Sequence, residues 1–400
     1  MPPVLSVHRI IAVGVAVFFV LLLLFSAFHQ GVTPIQTLKD TANSAAERIC
    51  TSGSDHDAPL LGDVPFSQGI HSLYKSIRHS VTAKTYQDPT GRQFTLPDKE
   101  PAWTSPLGSK ILIVDMDTRI PTGDNELWNP TTMDYASLDA SKGGQMVSAA
   151  FMNHFLYSQI HGYDYKFFAA KSLKDHHDTW IKPHVLYDLL HSYQFVVFID
   201  ADATIQHLEL PLEWLFNKWG IGHATTIAMP IDTEEVVNGD QHISTDSKGK
   251  VVLNTGFIVT QALPLAFEML DAWRKCTTGA RWKDCKQWAT QWSHEQRAFS
   301  EYVRYDFNPH GNIVEIPCDD AMGFPGIVEN NPRVISNCTG QFVRHQTIGK
   351  EATKTNAGNA LMQSMAELMQ KALIQEKARY WIADDKINIG SFLKIFQKRD

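Results

Sequence analysis

The chain changes its hydrophobic period several times, and the changes mark its elements. The first block is the longest: "IIAVGVAVFFVLLLLFSAF", Ile10–Phe28, is 19 residues without a charge. At about 1.5 Å of helical rise per residue it matches the roughly 30 Å hydrocarbon core of a bilayer. It is longer than the ~7–15 apolar residues usual in a cleaved signal. We therefore expect an uncleaved anchor, with a cleaved signal ending near "SAF" as the rival. Arg9 and His8 precede it without an acid, so residues 1–9 are expected to be cytoplasmic and the remainder lumenal.

Residues 29–105 carry scattered Thr, Ser, Asp, Gly and Pro and read as a stem with little order, closed by Pro101 and Pro106. From 106 to 400 short apolar runs alternate with amphipathic ones. "KILIV" (110–114), "YKFFAA" (165–170), "FVVFI" (195–199), "TTIAMP" (225–230), "VVLNTGFIVT" (251–260) and "NIVEI" (312–316) read as strands. Helices lie between them. Val147, Phe151 and Phe155 repeat at helical spacing before a stop at Gly162, and Pro183 opens a second helix whose face is Leu186, Leu189, Leu190 and Tyr193. "PLAFEMLDAW" (264–273) and "SHEQRAFSEYV" (293–303) are two more. This alternation predicts an α/β domain with a largely parallel sheet. Ligands of such sheets bind at the carboxyl ends of strands.

Composition adds limits rather than direction. An apolar content of 44% with 20% charged residues is ordinary for a globular chain, and a net charge of −7 argues against nucleic acid as a partner. The five cysteines suit an oxidising compartment. Cys276 with Cys285 and Cys318 with Cys338 are plausible pairs, but four cysteines allow three pairings and the sequence does not choose. Cys50 is left over. Asn337-Cys338-Thr339 is an N-glycosylation sequon, and a disulfide at Cys338 could compete with its use.

The chemistry concentrates where "FVVFI" runs into Asp200 and Asp202. On an extended segment residues i and i+2 face the same side, so both carboxylates can reach one point. Like charges so close repel unless a cation joins them. Mg²⁺ or Mn²⁺, which bridges carboxylates to phosphates, would remove the conflict. Alone, Asp-x-Asp at a strand end reads more often as a helix cap plus a solvated turn; the buried strand before it and "ATI" after it shift the balance toward a metal site.

Seven pieces, "HGYDYKFF", "TWIKPHVLYDLL", "FVVFIDADATI", "LNTGFIVTQ", "LDAWRK", "HEQRAF" and "RHQTIGK", occur in that order over residues 160–350. The series resembles glycosyltransferase family 34, the α-galactosyl- and α-xylosyltransferases of fungi and plants. Phe195 and Phe198 stand in a strand where that family usually has Trp, and "HQTIGK" and "ILIVDMDTR" are less typical, which marks a divergent member or a sister family. The resemblance implies a GT-A fold (the Rossmann-like fold of nucleotide-diphospho-sugar transferases), a Golgi membrane enzyme of single-pass type II topology, a nucleotide-sugar donor, a glycan or glycoprotein acceptor, Mn²⁺ or another divalent cation, and retention at the anomeric carbon. It implies metal binding by Asp200, Asp202 and His345, with Ala201 between the carboxylates. Lys350 falls near the donor diphosphate, Gln296 beside the donor sugar after Glu295, and Lys182 in the helix before the third strand. Asn254, Thr255 and Gly256 form the sugar-site loop, and Asp117, Thr118 and Arg119 flank the nucleotide base. Glu295 is then the nearest carboxylate to accept the acceptor's proton or steady an oxocarbenium-like centre.

Plainer readings exist for each residue. Without the Asp pair, His345 is a surface histidine, "HEQR" a solvated helix face and Lys182 a charge at a helix start. The tryptophans are mainly core, with Trp282, Trp288 or Trp292 as an alternative acceptor platform. Two rival functions also fit fragments. "ILIVDMDTR" presents Asp115, Asp117 and Thr118 as in haloacid-dehalogenase-like phosphatases, with Asp319 and Asp320 as the acidic partner motif. A non-catalytic sugar-binding protein of the same fold is the other.

Overall fold

The computed structural model describes residues 64–239 and 241–383. The chain divides into a unit Met1–Asp63 and a unit Val64–Asp400. The expected cytoplasmic tail (1–9), the expected membrane anchor (10–28), the first part of the expected stem and Cys50 lie outside the described residues. Among the described residues no helix is long and apolar enough to cross a membrane.

The second unit is a mixed α/β fold around one six-stranded sheet. Its strands are β1 (Ile111–Asp117), β2 (Asp164–Ala169), β3 (Phe195–Ile199), β5 (Ile227–Pro230), β6 (Phe257–Gln261) and β7 (Ile313–Ile316). They lie in the order β7-β5-β6-β3-β1-β2. All neighbouring pairs are parallel except those of β6, which runs antiparallel to both β3 and β5. Off the sheet, β4 (Ala203–Ile205) pairs antiparallel with β8 (Val343–His345).

Helices cover both faces, and this explains the continuous apolar strands. In β3, Phe195, Val197 and Ile199 pack with Ile111, Ile113, Tyr157 and Trp214. Val196 and Phe198 point the other way, onto Leu186, Leu270, Trp273 and Phe299. A strand apolar at every position is what a sheet buried on both sides requires. Helix α1 (Gly143–His161) stops at Gly162, whose φ of 73° closes the last turn in the left-handed region. Helix α2 (Ile181–Leu189) takes Pro183 in its first turn, where a missing N–H leaves no bond unmade. Helices α3 (Leu212–Trp219), α4 (Pro264–Arg274), α5 (His294–Ala298) and α6 (Ala352–Gln375) complete the set used below.

Three expectations change. "VVLNTGFIVT" is not one strand: the Asn254 side chain accepts the Gly256 N–H at 2.8 Å, a local turn that delays β6 to Phe257. The predicted helix 293–303 is α5 followed by a π-turn over Phe299–Val303. Residues 64–105 are ordered, not a loose stem. Tyr74, Tyr86, Phe94 and Trp103 are all buried, and Trp103 donates to the Ile221 carbonyl at 2.7 Å. Each buried aromatic is worth on the order of 2 kcal/mol, enough to fix a segment with no amphipathic period. Both plausible disulfides form, Cys276–Cys285 and Cys318–Cys338, and Asn337 is exposed.

One buried acid belongs to this packed segment. Glu209 accepts a hydrogen bond from Tyr86, and burial raises its carboxyl from an ordinary 4.5 to about 7. The folded state therefore keeps a proton that the unfolded chain has released. The stability this contributes is full below about pH 4.5 and is lost as pH rises through about 7. Glu209→Gln, neutral throughout, should gain on the parent by roughly 2–3 kcal/mol between pH 5 and pH 8. Denaturant unfolding at the two pH values measures it; an equal difference at both would show that Glu209 is ionised in the fold.

Candidate active site

β3 ends on a tight turn. The Asp200 N–H donates to the Gly256 carbonyl at 2.8 Å, and the Ala203 N–H donates back to the Asp200 carbonyl at 3.0 Å. Ala201 and Asp202 thus occupy a turn rather than the extended segment expected from sequence. The carboxylates still converge, because the turn is followed at once by β4, which is fixed on β8. In that ladder His345 lies opposite Ala203. Its Nε2 sits 3.1 Å from Asp202 and 3.9 Å from Asp200. Ligand atoms from all three residues fall within 4.8 Å of one another. Two carboxylates and one imidazole are a donor set that suits Mn²⁺ or Mg²⁺, so the residues fit the cation that the sequence implies.

Two lysines neutralise the pair from opposite sides. Lys182, buried in the first turn of α2, contacts Asp200 at 3.0 Å and donates to the Thr255 carbonyl at 3.1 Å. Lys350, half-exposed, lies 2.6 Å from Asp202. The two acids respond differently. Burial outweighs Lys182 and raises the Asp200 carboxyl. Burial also pushes Asp202 up, but His345 and Lys350 outweigh it and hold that carboxyl far below the usual range. Burial would lower His345, yet Asp202 and Asp200 raise it.

Beside this cluster a cavity of about 260 Å³ is lined by Lys182, Asp200, Asp232, Glu295, Gln296 and His345 among others. Its far wall is α5. Glu295 accepts hydrogen bonds from the Thr255 hydroxyl at 2.8 Å and from Thr179, and it is only 2% exposed. The Gln296 side chain accepts the Thr255 N–H at 3.1 Å and donates to Asp232 at 2.7 Å. Asn254 donates to the other Asp232 oxygen at 3.2 Å. A carboxylate, two amides and a threonine so locked offer fixed polar groups to a hydroxyl-rich ligand.

The structure therefore brings together Lys182, Asp200, Asp202, Asn254, Thr255, Gly256, Glu295, Gln296, His345 and Lys350. Asp117, Thr118 and Arg119 do not line the cavity. Asp117 ends β1 and Thr118 and Arg119 follow it, level with the Asp200 turn by the register of β1 on β3. Arg119 folds back on Asp117 at 2.6–2.8 Å, and Thr118 bonds Asp178. Of the three tryptophans, only the exposed Trp292 lines the cavity; Trp282 and Trp288 pack on the core. Asp232 and Thr179 escape the sequence reading. Asp232 had a signal, since it follows β5 as Asp200 follows β3. Thr179 had none.

The phosphatase reading fails on geometry. Asp115 is 1% exposed, and its oxygens are taken by His154 at 2.7 Å and Tyr165 at 2.5 Å, leaving no free nucleophile. Asp319 is held by Thr339 and Arg92, and Asp320 by Trp219 and Lys218.

A parallel-rich sheet with a carboxylate–imidazole cluster and a polar cavity at its strand ends defines an α/β enzyme acting on a polar ligand. The sequence profile of the galactosyl transferase GMA12/MNN10 family matches residues 131–339, more than half of the chain. The chain belongs to that family and is a glycosyltransferase. The match ends before His345 and Lys350, which the β4–β8 ladder and the loop after it bring to the site. Among solved structures the chain is similar to a glycosyltransferase involved in glycosylation of the major capsid of the virus PBCV-1, at 11% identity and a TM-score of 0.40, covering 61% of this chain and 98% of that one. It is also similar to mouse xyloside xylosyltransferase 1, at 10% identity and a TM-score of 0.34, covering 60% and 98%. No curated protein sequence matches the chain.

Gly256 gives the sharpest test of this geometry. A Cβ there would collide with the His345 ring and crowd the Asn254 side chain. Gly256→Ala should displace His345 while leaving the sheet intact. Turnover should fall about 100-fold, the usual cost of misplacing a reacting group by an ångström. Sugar-transfer rates combined with thermal unfolding would decide; normal turnover would mean that His345 has no role.

Proposed function

We propose that the chain is a metal-dependent glycosyltransferase of GT-A architecture that moves a hexose or pentose from a nucleotide-diphosphate sugar to a glycan or glycoprotein acceptor with retention. One observation carries the reading: the Asp200–Asp202–His345 cluster opens onto the cavity walled by Glu295, Gln296 and Asp232. Asp200, Asp202 and His345 would hold Mn²⁺ or another divalent cation. When bound, it supplies positive charge to the leaving diphosphate.

The protein's own groups divide the remaining work. Lys350, half-exposed and paired with Asp202, can exchange that partner for a diphosphate oxygen. Its contribution grows as the glycosidic bond breaks and charge collects on the leaving group. Lys182 keeps Asp200 and the Thr255 carbonyl in place. Gln296 presents an amide of fixed orientation to sugar hydroxyls. Glu295 has both oxygens occupied and lies 3.5 Å from Lys182, so it suits steadying a positive anomeric centre better than accepting a proton. Asp117, Thr118 and Arg119 fit the nucleotide side of the sheet. The sugar-binding alternative keeps the same pocket without transfer, and donor hydrolysis by the purified protein excludes it.

The same reading places the enzyme in the Golgi membrane, anchored by residues 10–28, with the catalytic unit in the lumen and Asn337 glycosylated. The two disulfides support an oxidising compartment. In sealed vesicles, added protease should then leave the protein nearly full-length; digestion of the catalytic unit would refute the topology.

Activity of the full-length protein across a panel of nucleotide sugars should vanish with chelator and return best with Mn²⁺. Asp200→Asn and Lys350→Ala should each weaken binding of the bare nucleoside diphosphate. Gln296→Ala should spare that binding while slowing transfer by about 10-fold or more, the scale of a lost hydrogen bond made to a reacting sugar. Nucleotide binding by calorimetry and transfer rates measured together check the pattern. Full activity without metal would remove the role given to the carboxylates.

A further inference from the structure

The strand that carries His345 has a second face. His345 and Thr347 line the cavity just described, whereas Arg344, Gln346 and Ile348 line another, of about 430 Å³. Arg344 and His345 leave β8 on opposite faces, and the bend after the strand takes Thr347 to the first cavity and Gln346 and Ile348 to the second. The second cavity holds an unusual cation. Arg344 donates to the side-chain amide oxygen of Asn356 at 3.1 Å, and no carboxylate pairs with it among the described residues. Its Nε is buried without a partner, and so is Nδ2 of Asn356, a residue only 7% exposed. Buried donors left unmade are costly, and these two lie on and beside a part-exposed guanidinium that no carboxylate neutralises among the described residues. Both line the cavity, beside the start of α6, whose amino end adds a favourable field for negative charge. Glu351, the acid in the wall, is exposed to solvent. Phe324 and Ile348 form an apolar side.

We propose that this cavity binds an oxyanion carried on a sugar, a phosphate or carboxylate group held by Arg344 and Asn356 while the ring lies on Phe324 and Ile348. Assignment of that sugar to the acceptor glycan rests on the function proposed above; the binding itself does not. The cavity shares the 346–350 loop with the donor site. The Gln346 N–H bonds the Asp202 carbonyl at 2.8 Å, and Lys350 at the loop's end reaches the Asp202 carboxylate. An occupant would therefore press on the segment that holds Lys350.

The test uses the full-length protein without donor. Glucose 6-phosphate, inorganic phosphate and glucose are titrated separately, with binding read by calorimetry and by the shift in unfolding temperature. Glucose 6-phosphate should bind saturably and glucose should not. Arg344→Gln should weaken that binding by about tenfold or more, as expected for loss of a charge-assisted contact. Asn356→Asp places a carboxylate beside Arg344, so it should abolish binding and raise the unfolding temperature without ligand. It keeps the test decisive should Arg344→Gln fail to fold. Lys350→Ala should bind glucose 6-phosphate as the parent does. The proposal is overturned if the parent binds no glucose 6-phosphate, if neither Arg344→Gln nor Asn356→Asp weakens binding, or if Lys350→Ala removes it, which would put the anion in the donor site. Inorganic phosphate binding as tightly as glucose 6-phosphate would assign the cavity to a free ion and overturn the sugar. Sound binding by a protein that transfers no sugar would count against the function proposed above and leave this site standing.

Discussion

The site depends on one short ladder, the antiparallel pairing of β4 with β8 in which Ala203 faces His345. The pairing spans about 140 residues of sequence, yet it sets the distance from His345 to both carboxylates. It is also a small interaction, three residues against three. Its rigidity comes from its surroundings: Val343, Ile205 and Ala203 are all buried in the larger apolar cluster. Asn153 of α1 adds to this by accepting the Ile205 N–H at 2.7 Å and donating to the Ile205 carbonyl at 2.9 Å. A buried amide with both ends used fixes the strand in a way apolar contact cannot.

Around that ladder the fold concentrates charge that would be unstable in isolation. Buried Asp202, Asp232, Glu295, Lys182 and His345 lie together with the part-exposed Asp200, and half-exposed Lys350 closes the cluster from the solvent side. Removing Lys182 would leave Asp200 without its close cation, and such changes are strongly destabilising. The cluster is stable because each acid has a dedicated donor: Lys182 for Asp200, His345 and Lys350 for Asp202, Gln296 and Asn254 for Asp232, Thr255 and Thr179 for Glu295. The same groups hold the cavity walls still, which an enzyme that acts by positioning needs.

The covering elements follow a different logic. Helices on both faces are required by strands apolar at every position, but residues 64–105 are an addition outside that scheme. They are tied to α3 and its flanks: the Trp103 backbone N–H donates to Asn217 of α3, the Trp103 indole to the Ile221 carbonyl just after it, and the Tyr86 hydroxyl to Glu209 just before it. The family match begins at residue 131, so this segment lies outside the matched region.

The sequence alone determined the layers and the central pair of acids. Uninterrupted apolar strands, Gly162 and Pro183 at helix ends, and Asp200–Asp202 after "FVVFI" are local signals, each following from propensity, period or a steric rule over a few residues. Local signals were also enough to suggest the disulfide pairs, though not to exclude other pairings. Where the signal was not local, the sequence reading missed. Residues 64–105 have no period because their order comes from four aromatic side chains inserted into another part of the core. Thr179 and Asp232 look like any threonine or acid near an element end until the fold seats them against Glu295 and Gln296. Asp115 shows the reverse: as sequence it looks like a nucleophile, and only burial against His154 and Tyr165 makes it structural. Whether a polar side chain is a ligand or a strut depends on which distant groups surround it and how much water they exclude. Tertiary packing sets both, and no spacing along the chain contains them.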